Sequence, residues 1–70
     1  MTNRYLREVR EDKGMTIIDV ADAIGVARST VYRYEAGYTD KMYLAHAIRL
    51  YRALRPKGGF ERFARRILPS

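Results

Sequence analysis

The chain has 70 residues, no cysteine, one histidine, and 14 basic against 8 acidic side chains, for a formal net charge of +6. A sequence of this size makes one small domain, whose core contributes at most about 3–5 kcal/mol without staples or partners, and the missing cysteines rule out disulfides and thiolate metal sites. A lone histidine and no apolar run of bilayer length argue against a metal centre and a membrane span, while no grouping of acid, base and nucleophile points to an enzyme.

The charge is unevenly placed. Residues 1–40 carry six basic and seven acidic groups, a net of −1, whereas residues 41–70 carry eight basic groups against Glu61 alone, a net of +7. A basic excess of this size is the sign expected of a nucleic-acid binder. The N-terminal TNRYLREVRE lacks the apolar centre of a signal peptide, so a cytoplasmic protein working at the nucleoid is the expectation. Neither a cofactor nor a small-molecule substrate is indicated.

Thr2 or Asn3 can cap a first helix of about ten residues, with Leu6 and Val9 inward and Gly14 as its stop. Arg10 falls on the same side as Leu6, where a charge is costly without a partner. Next comes MTIIDVADAIGVARSTVYRYEAG, residues 15–37. Its first helix opens on Thr16, whose hydroxyl can accept from the Asp19 N–H while the Asp19 carboxylate accepts from the Thr16 N–H, a variant of the capping box. Ile17, Val20, Ala21 and Ile24 share an apolar face, and Gly25 supplies the left-handed residue that ends the helix. The second helix is expected from Arg28 to Ala36, with Val31 and Tyr34 on the side of Ala27 and with Arg28, Ser29, Tyr32 and Arg33 on the opposite side.

Tyr38 to Lys41 form a polar loop in which Thr39 or Asp40 can cap the next helix. Residues 41–55 carry the longest periodic segment. In it Tyr43, Leu44, Ala47, Ile48, Leu50, Tyr51 and Leu54 cover a broad face opposite Arg49 and Arg52. His46 lies beside that face, has no second ligand candidate, and is assigned no role. Pro56-Lys57-Gly58-Gly59 breaks the helix. A last short helix follows, with Phe60, Phe63, Ala64 and Ile67 as its apolar stripe and Arg62, Arg65 and Arg66 on its polar side. A segment this short does not hold as a helix alone in water, so the stripe must dock. Dimerisation is the expected use of Phe60, Phe63 and Ile67; docking on the same chain is the competing one. The fold expected is all-α, a compact bundle of about five short helices. Residues 1–55 are expected to form the main unit, built around residues 16–36, and residues 56–70 a basic amphipathic appendage.

Two short helices joined at a glycine, a small Ala21 at their approach and a basic outer face on the second make a helix-turn-helix. Thr16, Asp19-Val20-Ala21, Ile24-Gly25-Val26, Arg28-Ser29-Thr30-Val31 and Glu35-x-Gly37 resemble, in order and spacing, the Cro and lambda-repressor-like (XRE) family. The resemblance extends upstream through Leu6–Arg10 and covers about the first 55 residues. It implies that Arg10 pairs with Glu35, where the residues alone leave open two solvated charges. It also implies phosphate contacts from the loop after the second motif helix, for which Tyr38, Thr39 and Lys41 are the candidates, and Thr16 at the start of the first motif helix is a further one. The family usually has a polar group where this chain has Ile17 followed by Ile18.

A recognition helix reads base edges in the major groove with side chains near its N-terminus, which makes Arg28, Ser29, Tyr32 and Arg33 the base-reading candidates. Four side chains do not define an operator, so a homodimer on a pseudo-palindromic duplex, acting as a Cro-like repressor, is the expected mode. The alternative is an antitoxin or anti-repressor type of module that binds DNA weakly and seizes another protein through Ile18 or the Phe60-Phe63-Ile67 stripe. A basic tail lying on an anionic membrane is the remaining option.

Overall fold

A computed structural model of the chain describes residues 4–40 and 42–68. Among these residues there are five helices and no strand: α1 (Arg4–Asp12), α2 (Ile17–Ile24), α3 (Arg28–Glu35), α4 (Leu44–Leu54) and α5 (Gly59–Ile67). The expected caps Thr2 and Asn3, and the phosphate candidate Lys41, lie outside the described residues.

The start of α2 is a local device. The Asp19 N–H donates to Thr16 Oγ1 at 3.1 Å and the Thr16 N–H donates to Asp19 Oδ2 at 2.9 Å, which satisfies two donors that a helix N-terminus leaves open. Its end is equally local. Gly25 takes φ 73°, and the N–H groups of Gly25 and Val26 both donate to Ala21 O, at 2.9 and 3.0 Å. That left-handed residue turns the chain sharply enough for α3 to begin at Arg28. The buried residues of α2 are Val20, Ala21 and Ile24, and α3 contributes Val31 and Tyr34 to the same core.

Helix α2 packs against α3 and α4, α3 also against α1, and α5 against α4 and α1. The core joins Leu6, Val20, Ala21, Ile24, Val31, Tyr34, Met42, Ala47, Leu50, Leu54, Phe63 and Ile67. The dimerisation role expected for the tail is corrected here, because Phe63 is 0% and Ile67 1% exposed within their own chain. Aromatic contacts explain the docking: Phe63 meets Tyr5 of α1 and Tyr51 of α4, with ring centroids 6.0 and 5.8 Å apart, and Phe60 meets Tyr51 edge-on at 5.4 Å. Arg66 lies over the Tyr5 ring, 4.4 Å from its centroid. An arginine on the polar side thus helps hold the helix in place through the ring quadrupole.

The start of α4 also differs from expectation. The helix begins at Leu44 rather than residue 41, its N-cap is Tyr43 in extended conformation, and no side chain caps it, so neither Thr39 nor Asp40 has that role. Tyr43 and Leu44 are 71% and 60% exposed instead of roofing the core, and Met42 is buried in their place. Tyr43 precedes the helix in extended conformation and Leu44 is its first residue, so both lie at the end of the face that Ala47, Leu50 and Leu54 bury. Ala27, expected on the inner side of α3, is its exposed N-cap.

Candidate nucleic-acid interface

The recognition face is built by sorting the residues of one short helix. Val31 and Tyr34 are 2% and 7% exposed, which leaves Arg28, Ser29, Tyr32 and Arg33 on the solvent side of α3, all exposed. The four side chains nominated as base-reading therefore share one outward surface. Two of them, Arg28 and Tyr32, line an open groove of about 640 Å³ together with Arg10, Gly14, Met15, Thr16, Ile17 and Ile18. The start of α2 and the α1–α2 turn thus stand beside α3 along one continuous depression.

What orients α3 is the pair between Arg10 and Glu35. Arg10 Nε donates to Glu35 Oε2 at 2.7 Å and a terminal nitrogen donates to Oε1 at 3.2 Å, a two-pronged arrangement, while the other terminal nitrogen donates to Met15 O at 3.0 Å. The side chains retain only 14% and 12% of their exposure. One guanidinium thereby ties α1, the turn before α2 and the last residue of α3, and the planar fork is what allows three bonds at once. The hydrogen bond that Arg10 donates to the Glu35 carboxylate holds the Arg10 pKa above its ordinary value.

Two further ties were not expected from the sequence. Arg49, expected on the free side of α4, donates to Ile24 O at 3.1 Å and so occupies a carbonyl at the end of α2. His46 Nδ1 lies 2.9 Å from Tyr34 Oη, and its ring meets Tyr43 edge-on at 5.4 Å. Burial pushes the Tyr34 hydroxyl above its ordinary pKa, so this phenol stays protonated next to the imidazole. Both ties join α4 to the motif across large sequence separations, and no periodicity signals them.

The phosphate candidates stand in different situations. Thr16 is exposed at the groove, but its N–H is already bonded to Asp19 and its hydroxyl accepts from the same residue. Only the hydroxyl proton is left to Thr16, and the Asp19 carboxylate competes for it. The Asp19 carboxylate, held below its ordinary pKa first by the Thr16 backbone bond and then by the Thr16 hydroxyl, adds negative charge there and counts against phosphate. Tyr38 is 65% exposed; Thr39 is half-buried, its carbonyl accepting from the Met42 N–H at 3.0 Å. Ile17 is half-buried, whereas Ile18 is 50% exposed.

Among the described residues no cluster of side chains suits a metal ion, and no helix is long and apolar enough to cross a membrane. The profile of a family described as "Helix-turn-helix" matches residues 6–41, a span running from the buried face of α1 through both motif helices and the loop that follows. Comparison with curated proteins and with solved structures returns no match. That span covers half of the chain and contains the Thr16–Asp19 box, the Gly25 turn, the outward face of α3 and the Arg10–Glu35 pair. The chain belongs to the helix-turn-helix family of the Cro and lambda-repressor-like (XRE) type, and is a DNA-binding transcriptional regulator.

Proposed function

We propose that the protein is a sequence-specific, Cro-like repressor that binds a pseudo-palindromic operator as a homodimer. In this reading α3 lies in the major groove with Arg28, Ser29, Tyr32 and Arg33 at the base edges, and Thr16, Tyr38, Thr39 and Lys41 contact the backbone. The observation that carries it is the division of α3: two residues are buried, and four polar or basic ones share the free face. An arginine can hold guanine O6 and N7 at once, and each such pair contributes about 1–3 kcal/mol of discrimination. With Phe63 and Ile67 withdrawn into the core, the exposed and adjacent Tyr43 and Leu44 offer an apolar surface for pairing with a second copy. Residues 1–55 form the DNA-binding unit in this reading, and α5, within the appendage 56–70, packs on α1 and α4.

The test is gel-shift analysis with a duplex selected by the protein from a random pool and with its scrambled counterpart. Arg28→Ala and Arg33→Ala should each reduce the preference by about 5- to 150-fold. Both side chains are exposed, so the fold should be retained. Undiminished preference in both variants removes α3 as the reading element. A second reading, a module that seizes another protein, is favoured only by the exposed Ile18. Binding that vanishes under competitor DNA would select it.

A further inference from the structure

Four cations at the corner between α4 and α5 take no part in the surface at α3. Arg52 and Arg55 line a shallow groove with Tyr51 and Pro56. Arg55 and Lys57 line the adjoining one, where Asp12 and Lys13 cancel each other in charge. Arg62 completes the group, since a Cβ built on Gly58 would stand 2.6 Å from its Cδ, which shows the side chain folded back along the corner.

All four are exposed. Among the described residues the ion pairs are Arg7–Glu11, Arg10–Glu35 and Arg65–Glu61, so none of the four has an acidic partner and the one carboxylate on α5 is already engaged. Like charges gathered in this way oppose the folded state and attract a polyanion. The packing of the fold does not call for them there.

The chemistry of the corner is that of phosphate rather than of bases. Arginine forks match phosphate oxygens in pairs, and lysine adds a point charge. The adjacent aromatics are both engaged, Tyr51 against Phe60 and Phe63 and Tyr5 against Phe63 and Arg66, which leaves neither ring open for a single-stranded base to stack on. Helix α1 packs against both α3 and α5, and none of the four cations lines the groove at α3. The corner is therefore a surface separate from the groove at α3.

We propose that this corner is a second, sequence-independent seat for a duplex phosphate backbone, through which a molecule held on one DNA segment by α3 grips another. The inference goes beyond the operator reading and is tested apart from it. In a protein carrying Arg28→Ala and Arg33→Ala, binding to a random-sequence duplex should remain salt-dependent. Adding Arg52→Gln, Lys57→Gln and Arg62→Gln should lower the logarithmic salt slope by about 2.7 for three lost phosphate contacts, about a 40-fold difference between ~50 and ~200 mM salt.

With the α3 face intact, wild-type protein on an immobilised selected duplex should capture a second, labelled duplex of unrelated sequence. The Arg52→Gln/Lys57→Gln/Arg62→Gln protein should bind the first duplex and fail to capture the second. An unchanged slope, or capture equal to wild type, overturns the corner. A wild-type protein with no preferred duplex overturns the operator reading alone, because the slope comparison still decides the corner. Circular dichroism of each variant checks that the helices persist.

Discussion

Loss of the Arg10–Glu35 pair should remove most of the stability of this domain. Two unit charges about 4 Å apart attract by about 4 kcal/mol at an effective dielectric near 20, partly offset by the cost of desolvating them. With the side chains at 14% and 12% exposure, the pair stands near the buried limit, where deleting one partner costs about 3–5 kcal/mol, and far from the exposed limit of at most about 1. The single core of a chain this short is itself limited to about 3–5 kcal/mol. Arg10→Met, which strands the Glu35 carboxylate and frees Met15 O, should therefore be substantially unfolded at 25 °C. Glu35→Gln should lose less, because the amide oxygen can still accept one bond. Urea melts followed by circular dichroism measure both losses. The double variant should lose less than the sum of the two, since the second change removes the charge that the first leaves unpaired. Losses below about 1 kcal/mol in both single variants would refute the reasoning and return the pair to the class of solvated surface charges.

Phe63→Ala should cost about 3–5 kcal/mol by opening a cavity between α1, α4 and α5, at every protein concentration; a loss that appears only on dilution, seen by sedimentation, would restore the tail to a dimer interface. Arg49→Met should cost about 0.5–1.5 kcal/mol through the lost bond to Ile24 O, read from the urea midpoint, and an unchanged midpoint would mean that water replaces it without penalty. Asp19 has its folded-state pKa lowered by the Thr16 bonds, so its contribution is present above the unfolded-state value and disappears as pH falls through the folded one. Thr16→Ala removes the hydroxyl and should raise the Asp19 pKa partway toward its ordinary value in a carboxyl-carbon NMR titration; an unmoved titration would mean that the backbone N–H alone sets it.

The sequence by itself determined the parts whose bonds close within a few residues. The Thr16–Asp19 box, the Gly25 stop and the division of α3 into Val31 and Tyr34 against Arg28, Ser29, Tyr32 and Arg33 are properties of neighbours on one helix, legible from spacing. The helix-turn-helix signature followed from these, and with it the place of the recognition face. The pairing of Arg10 with Glu35 is legible only through the resemblance of the motif to a family, since no periodicity connects residues on two separate helices. Tertiary structure alone decided where the amphipathic tail goes. A stripe of Phe60, Phe63 and Ile67 signals burial but carries no address, and Tyr5 and Tyr51 supply one only after α1 and α4 have come together. The same holds for Arg49 on Ile24 O and for His46 on Tyr34. Tyr43 and Leu44, apolar and in phase with the face of α4, lie outside the core because they stand at the end of the face that Ala47, Leu50 and Leu54 bury. A side chain's local pattern states which face it occupies, and only the packing of distant elements supplies what covers that face.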